Sequence, residues 1–339
     1  MMNGITFGLI GASNVAMTWM LPAFQACGID VRGLYDDEPR RFRYWADSGV
    51  EGQTEDLDQL LASDIDAVYI SSRNDQHVGQ AVAAAEAGKH ILVEKPMALG
   101  IADAETMISA VRSNGVILAV NHHLAGSPLH AAARDLVRDG AIGNLLSARV
   151  NHAVTLPEHL RGWRMSQAPG AGVIMDITVH DASVLNPLFQ TEPTAVVCFG
   201  ATQASWNTTG AVDSAMNLLR YPPAGGGDRL ASTHDSFTVA GPETALEILG
   251  DEGAISIGDA MTQRTAGSVH LHAGGRTRPI DVDTSRDLYQ ILLTAFVSAM
   301  HGEGRPTVTG EEGLGALKVA LAAEESVRTG NTVRLADLE

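Results

Sequence analysis

The chain has 339 residues, of which 45% are hydrophobic and 19% charged, values typical of a folded globular protein rather than a disordered one. Its 40 acidic and 23 basic residues give a formal net charge of −17, which argues against nucleic acid and anionic membranes as partners. Two cysteines are too few for a disulfide framework. We recognise no targeting or membrane-spanning segment, and we expect a cytoplasmic protein of about two domains.

The first third of the chain alternates short apolar runs with helical patterns. The runs predict strands at residues 5–10, 31–35, 67–70, 90–93 and 116–120. The helical patterns cover residues 14–26, 40–47, 57–62, 76–87 and 102–113. Strands that alternate with helices in this way predict right-handed βαβ units and a doubly wound parallel sheet of Rossmann type, which we assign to residues 1–122.

The pattern changes after about residue 123. Ser127 and Pro128 predict a helix start, and strands then follow one another at residues 145–152, 194–204, 215–221, 235–240, 245–249, 254–257 and 269–272. Turns such as 222–227 separate them, and two helices follow at 288–300 and 309–330, the second with a Thr309–Glu312 capping box. We predict an α+β domain with a large, mostly antiparallel open sheet over residues 123–339. Its exposed face predicts a homodimer or homotetramer.

A dinucleotide-binding fingerprint follows the first predicted strand. Gly11-Ala12-Ser13-Asn14-Val15-Ala16 matches G-x-G-x-x-G/A with Ser13 at the second glycine position. Gly11 allows a tight turn, and the helix that begins near Asn14 and Val15 offers N–H groups to a pyrophosphate. An ordinary glycine turn is the alternative interpretation.

Asp36 ends the second predicted strand, where a dinucleotide-binding domain places its ribose-binding acid. A carboxylate there accepts hydrogen bonds from the ribose hydroxyls and repels a 2′-phosphate, and Asp37 adds to that repulsion. We therefore expect NAD rather than NADP as cofactor. Arg40 and Arg41 leave NADP as the alternative, because a guanidinium binds phosphate.

Two further segments carry groups suited to proton transfer. Glu94-Lys95-Pro96 follows a strand at the carboxyl edge of the predicted sheet, where a lysine beside a cationic nicotinamide could help move a proton. Asp176 and His180 lie four residues apart, on one face of a helix, and a carboxylate that orients an imidazole is an acid–base unit. No third ligand has a suitable spacing, so we expect no metal. A surface lysine and a surface Asp–His pair are the alternatives.

Two other short motifs could line a pocket. Asn121-His122-His123 ends the last strand of the first domain, again at the carboxyl edge. Trp163 and Arg164 precede the Pro169-Gly170-Ala171-Gly172 stretch, and they could serve as a stacking plate and a fixed donor. Packing is an equally good interpretation of both.

The combination of these motifs resembles the Gfo/Idh/MocA family, which includes glucose–fructose oxidoreductase and inositol dehydrogenase. The resemblance lies in Gly8 to Ser13, Glu94-Lys95-Pro96 and the Gly170-x-Gly172-x-x-x-Asp176-x-x-x-His180 spacing. Within the family, Asn121 to Leu124, Gly162-Trp163-Arg164 and Asp176 to Asp181 look most like the 1,5-anhydro-D-fructose reductases.

The resemblance implies a Rossmann domain, a C-terminal domain that packs subunits together, and hydride transfer between nicotinamide and a carbohydrate carbon. It implies Lys95, Asp176 and His180 as the catalytic group and carbohydrate ligands, with His122 and His123 beside the substrate. It also implies the cofactor-binding residues Ser71, Asn74, His77, Glu94, Lys95, Trp163 and Arg164, besides the fingerprint and Asp36.

Three positions depart from the reductases. Asp36 replaces a small hydroxyl residue of NADP enzymes, Ala125 replaces an arginine, and Ala171 interrupts a glycine triplet. We therefore expect an NAD-dependent dehydrogenase or reductase acting on a related sugar, anhydrosugar or cyclitol. A redox-neutral glycosidase or lyase that retains NAD is an alternative, and a non-catalytic nucleotide sensor is another.

Overall fold

The computed structural model describes residues 4–224, 227–241 and 243–338. These residues form two compact units, one made of residues 4–123 with 287–314 and the other of residues 124–286 with 315–338. The sequence predicts a single boundary after residue 122. In the structure the chain leaves the first unit after residue 123 and returns to it for residues 287–314. Residues 225 and 226 of the predicted turn lie outside the described residues.

The strands and helices are numbered here in chain order. The strands are β1 Thr6–Ile10, β2 Asp30–Tyr35, β3 Gln53–Thr54, β4 Ala67–Ile70, β5 His90–Glu94, β6 Leu118–Asn121, β7 Leu145–Ala153, β8 Ala195–Ala201, β9 Ser214–Ala224, β10 Gly227–Ser236, β11 Ala245–Gly250, β12 Gly253–Gly258, β13 Ser268–Ala273, β14 Arg276–Ile280 and β15 Val333–Arg334. The α-helices are α1 Leu21–Cys27, α2 Leu57–Leu61, α3 His77–Glu86, α4 Ile101–Asn114, α5 Pro128–Arg138, α6 Arg161–Arg164, α7 Val179–Phe189, α8 Leu288–Met300 and α9 Gly310–Thr329. π-helical turns at Ala16–Met20 and Ile174–Thr178 lead directly into α1 and α7.

The first unit is built around a parallel sheet. Its described strands have the order β3-β2-β1-β4-β5-β6, which reverses direction at β1 and so forms a doubly wound sheet. Strands β1 and β4 are buried along their whole length, as their continuous apolar runs predict. The predicted Rossmann sheet is confirmed.

Helix α8 completes the core of this unit. Phe296 lies 6.0 Å from Phe7, and Phe7 lies 4.7 Å from Phe24, measured between ring centroids. Tyr289 and Leu293 of the same helix are also buried in this cluster. The helical spacing of apolar residues predicts α8, but its place beside β1 depends on contacts that are distant in sequence.

The second unit is built around a larger sheet. Among the described residues its strand order is β14-β13-β12-β11-β7-β10-β9-β8-β15, and every neighbouring pair is antiparallel except β7 and β10. This confirms the predicted mostly antiparallel sheet. Phe189 of α7 stacks on Tyr221 of β9 at 3.9 Å, and Ser326 of α9 accepts a hydrogen bond from Cys198 N at 2.9 Å, so both helices pack on the sheet.

Several predicted elements are corrected. The strand predicted at 235–240 is wrong beyond residue 236, because β10 runs over Gly227–Ser236 and pairs with both β9 and β7. The helix predicted at 40–47 is a 3₁₀ segment, Pro39–Trp45. The capping box at the start of α9 is confirmed, since Thr309 N donates to Glu312 Oε2 and Glu312 N donates to Thr309 Oγ1.

Candidate active site

The turn after β1 has the geometry of a dinucleotide-binding loop. Gly11 has a φ of +100°, and a Cβ atom at this position would lie 2.5 Å from Ser72 N. Only glycine fits this close approach of two backbone segments without strain. The fingerprint glycine therefore lets the turn after β1 pack directly against the segment after β4.

Ser13 links this turn to the neighbouring strand. Its hydroxyl donates to Ser71 Oγ at 2.8 Å and accepts from Ala16 N at 3.1 Å, and Ser71 Oγ in turn donates to Gly11 O at 3.1 Å. The serine at the second glycine position thus caps the helix that follows and holds the loop closed. Asn14 is exposed and Val15 half-buried at the start of that helix.

Asp36 lies at the end of β2, directly beside the same turn. Its side chain is buried, with a residue exposure of 3%, and it accepts hydrogen bonds from Ala12 N at 2.7 Å and Glu38 N at 2.8 Å. A cavity opens at this point. It is lined by Gly11, Tyr35, Asp36, Asp37, Arg41, Ser72, Arg73, Gln76 and Gln80.

Glu38 forms ion pairs with arginines at and near this cavity. Glu38 Oε2 lies 2.6 Å from Arg40 Nη2, and Glu38 Oε1 lies 3.2 Å from Arg41 Nη2 and 4.0 Å from Arg73 Nη1. Hydrogen bonds from Arg40 and Arg41 lower the pKa of Glu38, so the acid stays ionised. The positive charge that would attract a 2′-phosphate is thereby partly neutralised.

The residues present fit the adenosine half of a dinucleotide. The glycine turn leaves no room for a side chain, the following helix begins beside it, and a buried carboxylate supplies hydrogen-bond acceptors for ribose hydroxyls. Asn74 Nδ2, in the segment after β4, is buried and has no acceptor among the described residues. These observations favour a nucleotide with free ribose hydroxyls.

The carboxyl ends of β5 and β6 gather polar side chains. Glu94 is buried and accepts hydrogen bonds from the Tyr69 hydroxyl at 2.5 Å and from Asn121 Nδ2. Burial raises the pKa of Glu94, and the hydrogen bonds from Tyr69 and Asn121 oppose that rise. Lys95 follows directly and precedes a cis peptide bond to Pro96.

Three histidines surround this edge. Burial, and then the charge of Lys95, lowers the pKa of His122 to about 3, so this imidazole is neutral at physiological pH. The His123 ring stacks on Tyr289 with centroids 5.1 Å apart. His77 faces two backbone carbonyls, Pro96 O at 3.1 Å from Nδ1 and Ser72 O at 3.2 Å from Nε2, and so bridges the segments after β4 and β5.

In the second unit, Asp176 and His180 lie on one continuous helical segment. Asp176 is in the π-helical turn, which widens the helix at this point, and His180 is in the first turn of α7. Both are buried, and Arg164 Nε donates to Asp176 Oδ2 at 3.0 Å. The Arg164 guanidinium also lies 5.0 Å from the centre of the half-exposed Trp163 ring.

Backbone geometry explains the glycine at position 172, just before this helix. Gly172 has a φ of +89°, and its N–H donates to Arg164 O at 2.7 Å. A Cβ atom there would lie 3.2 Å from Val212 O. The loop thus brings the Arg164 backbone to the start of the helix that carries Asp176.

Sequence reasoning missed a buried cluster next to His180. His152 Nδ1 lies 2.7 Å from Asp181 Oδ1, and the His152 and His180 rings have centroids 6.4 Å apart. Asp235, from β10, joins Asp181. Asp181 follows His180 directly in the motif, but no local pattern connects it with residues 152 and 235.

The described residues contain no helix long and apolar enough to cross a membrane. Nor do three His, Cys, Asp or Glu side chains in those ranges come together as a metal site would require.

Comparisons with known proteins agree with this architecture. Residues 5–122 match the family model described as "Oxidoreductase family, NAD-binding Rossmann fold", and residues 130–256 match the "GFO/IDH/MocA C-terminal domain". The chain is 37% identical to 1,5-anhydro-D-fructose reductase of Ensifer adhaerens over 332 residues, which covers 97% of this chain and 98% of the relative.

Solved structures show the same fold. Aldose-aldose oxidoreductase from Caulobacter crescentus, crystallised with glycerol, has a TM-score of 0.87 at 26% identity, over 97% of this chain and 99% of that one. Levoglucosan dehydrogenase, in complex with NADH and levoglucosan, has a TM-score of 0.83 at 22% identity, over 98% of this chain and 99% of that one. The chain belongs to the Gfo/Idh/MocA family of NAD-binding oxidoreductases.

Proposed function

We propose that this protein transfers a hydride between NAD and a hydroxyl or keto carbon of a sugar, anhydrosugar or cyclitol. The observation that carries the proposal is the Asp176–Arg164 ion pair, with its atoms 3.0 Å apart, one helical turn before the buried His180. A carboxylate held by a guanidinium accepts hydrogen bonds from substrate hydroxyls, and a nearby imidazole exchanges a proton near neutral pH.

The nicotinamide of bound NAD would supply the hydride acceptor at its C4 carbon. We assign to His180 the proton exchange with the substrate oxygen. Asp176 orients the substrate by accepting a hydroxyl hydrogen bond, and Arg164 holds that carboxylate in place through a charge-assisted hydrogen bond. Lys95 is the charged donor that polarises the substrate oxygen, and His122, neutral because of burial and the charge of Lys95, can bind a hydroxyl without adding charge.

We propose NAD rather than NADP as the working cofactor. Asp36 and Asp37 place negative charge at the cavity beside Gly11, and Glu38 occupies the nearby arginines. Binding to Gly11, Ser13, Asn14, Val15, Ser71, Asn74, His77, Glu94, Trp163 and Arg164 is part of the same proposal. His77 acts in it by joining the Ser72 and Pro96 loops.

The substrate class follows from the polar groups and the relatives. Carboxylate, imidazole and lysine side chains suit a compact, polyhydroxylated molecule. Relatives are named for anhydrofructose and aldose oxidoreduction. Ala125 and Ala171 differ from what the sequence resemblance implies for anhydrofructose reductases, and we therefore propose a related carbohydrate rather than 1,5-anhydrofructose.

We also propose that the protein is a homo-oligomer. Phe199, Met216, Leu218 and Leu230 project from neighbouring strands β8, β9 and β10 on one exposed face, and Phe199 is 79% exposed. The register pairs Phe199 with Met216, and β9 alternates between exposed and buried residues. The same face of a second copy is the occupant that a two-fold axis would place there. Leu218→Lys should halve the mass measured by light scattering.

The test of the activity is the absorbance of reduced nicotinamide. Purified protein is mixed with NAD or NADP and a panel of aldoses, anhydrosugars and inositols, and His180→Asn serves as the matched variant. We expect signal growth with NAD and one carbohydrate class, and none with His180→Asn, which should still bind NAD. A flat trace with NAD recovered from the denatured protein would instead favour the redox-neutral glycosidase or lyase.

A further inference from the structure

Two acids meet inside the second unit, next to the helix that carries His180. Asp181, on α7, and Asp235, near the end of β10, have exposures of 0%. The register of β7 and β10 pairs Asp235 with His152, and His152 Nδ1 lies 2.7 Å from Asp181 Oδ1, so the two carboxyl groups come together beside this imidazole. Two ionised carboxylates in contact and away from water would repel each other without hydration to compensate. At least one proton must therefore lie on the pair.

The hydrogen bonds around the pair show where that proton fits. Asp235 Oδ2 accepts from Asn217 Nδ2 at 3.0 Å and from Thr178 Oγ1, while Asp181 Oδ1 faces His152 Nδ1 at 2.7 Å. The remaining oxygens, Asp181 Oδ2 and Asp235 Oδ1, are buried and receive no N–H or O–H from any other described residue. A proton between the two acids makes one a donor and the other an acceptor.

Burial acts in the same direction on both acids. It raises the pKa of Asp181 to about 7. It also raises the pKa of Asp235 well above the usual range, and the neighbouring charge of Asp181 adds to that rise. The pair therefore titrates as one unit, and it carries a single negative charge once the pH exceeds about 7.

This charge acts on the imidazoles beside it. Since Asp181 Oδ1 accepts, His152 Nδ1 carries the hydrogen, and Nε2 is an acceptor when the ring is neutral. His180 adjoins Asp181 in sequence, and its ring lies 6.4 Å from that of His152. A buried negative charge on the acid pair favours the protonated form of the His152 ring and of the His180 ring beside it.

Three other ionisable groups face the cluster. His130 on α5 faces His152, and Arg134 on the same helix faces His130. Cys198 on β8 faces Asp235. Burial lowers the pKa of His130 to about 4 and raises that of Cys198 to about 12, so both are neutral near pH 7. The charge nearest His152 is therefore that of the acid pair, opposed by the more distant Arg134. His180 has a second carboxylate one helical turn away, Asp176, which is paired with Arg164.

We propose that Asp181 and Asp235 share one proton and that this pair fixes the tautomer of His152 and sets the protonation of His180. The second half of the inference rests on the proposed acid–base role of His180. Asp235 is then a positioning residue, because it acts through Asp181 and His152.

Infrared spectroscopy of the full-length protein in D₂O tests the shared proton. At a pH of about 8, above the pKa of Asp181, we expect the carbonyl band of a protonated carboxylic acid in the wild type and its loss in Asp235→Asn. Asp213→Asn is the matched control, because Asp213 is equally buried but accepts three N–H bonds, from Gln203, Ala204 and Asn207. Absence of the band from the wild type would overturn the proposal.

A second variant tests the assignment of the band even if Asp235→Asn does not fold. Thr178→Val removes one donor to Asp235 and leaves both acids in place. We expect the band to remain but to move in frequency, and an unmoved band would contradict its assignment to this pair. ¹⁵N spectra should show hydrogen on Nδ1 of His152 in the wild type, and hydrogen on Nε2 alone would contradict the tautomer.

The link to His180 is tested by the pH profile of carbohydrate oxidation. Replacing both acids, Asp181→Asn with Asp235→Asn, removes the negative charge and should move the acidic limb of kcat down by roughly one pH unit. If the acidic limb of kcat stays at the same pH in the double variant, the acid pair does not set the protonation of His180. If the wild type oxidises no carbohydrate, the proposed function fails, whereas the infrared and ¹⁵N results still decide whether the proton is shared.

Discussion

Arg164 Nε lies 3.0 Å from Asp176 Oδ2, and both side chains are largely buried. The contact joins the short α6 helix to the π-helical turn before α7, so one ion pair both ties a loop to a helix and orients a carboxylate. Removing one partner of such a pair leaves the other charge without compensation away from water.

Arg164→Met should therefore lower kcat for the carbohydrate substrate by roughly ten- to a hundredfold, because Asp176 loses its orientation. Steady-state kinetics at saturating NAD provide the measurement. Arg161→Met is the matched control, since the Arg161 guanidinium stacks on Trp206 at 3.9 Å instead. Equal losses in the two variants would contradict a specific role for Arg164.

Asp36→Ser should reverse the cofactor preference. The change removes acceptors for the ribose hydroxyls and the charge that repels a 2′-phosphate, so NAD should bind roughly tenfold more weakly and NADP more tightly. Calorimetric titration with each nucleotide measures both affinities without turnover. Asp37→Ser is the comparison, because it removes a negative charge at the same cavity but no acceptor at the Ala12 turn, so NADP should bind more tightly while NAD affinity stays the same. An unchanged NAD to NADP ratio in Asp36→Ser would contradict the assignment.

Glu38→Gln should act on NADP more than on NAD. The acid holds Arg40 at 2.6 Å and Arg41 at 3.2 Å, and its loss releases two guanidinium groups toward an incoming phosphate. We expect NADP affinity to rise severalfold at low salt and the gain to shrink as salt increases. Calorimetric titration with each nucleotide measures both affinities, and replacement of the exposed Glu51 by Gln serves as the control. An equal rise in the affinity for NAD and for NADP would indicate that the lost negative charge acts on both nucleotides and not on the 2′-phosphate.

Gly11→Ala should destabilise the first unit more than an ordinary glycine replacement. Its added methyl group would lie 2.5 Å from Ser72 N at a φ of +100°, so strain and a backbone clash combine, and we expect a loss of more than about 2 kcal/mol. Gly28→Ala has a φ of +67° but open space around it, and we expect a loss of about 1 kcal/mol. Urea denaturation compares the two, and equal losses would show that the clash is relieved.

The acid pair should make stability depend on pH. An unfolded aspartate titrates near about pH 4, whereas burial raises the pKa of Asp181 in the folded protein to about 7. Between these values the folded state keeps a proton that the unfolded state releases, so the unfolding free energy falls by about 1.4 kcal/mol per pH unit as pH rises. Below this window the effect of Asp181 is absent, and above it that effect is complete. Asp235, whose pKa is raised further, extends the loss of stability to higher pH.

Asp181→Asn should remove that contribution. Relative to the wild type, the variant should gain stability as pH rises through the window. Urea denaturation at several pH values gives the comparison, with Asp213→Asn again as control. Parallel pH curves for the wild type and Asp181→Asn would contradict the raised pKa.

The sequence predicts the turn after β1 and the end of β2 well because the signals there are local. Gly11 and Asp36 each follow a strand directly, and a tight turn or a strand end restricts residue type within a few positions. The pattern at residues 40–47 predicts a helix, but composition does not distinguish an α-helix from the 3₁₀ segment Pro39–Trp45 that the structure shows.

The parts that sequence reasoning missed depend on distant contacts. Strand β10 was predicted at 235–240 because residues 227–234 are mostly small or polar, yet they pair on both sides, and the parallel register with β7 places Asp235 beside His152. No spacing rule connects positions 152, 181 and 235. The tertiary fold brings them together, and only the structure shows it.

The return of the chain at residues 287–314 has a consequence for biosynthesis. During translation the β1 and α1 segments leave the ribosome long before α8, whose Phe296 and Leu293 complete their apolar core. Until α8 emerges, Phe7 lacks its contact with Phe296 while the whole β7–β14 region is being made. Nascent chains that stall before residue 288 would therefore expose this apolar surface, and a chaperone that binds aromatic side chains would recognise them.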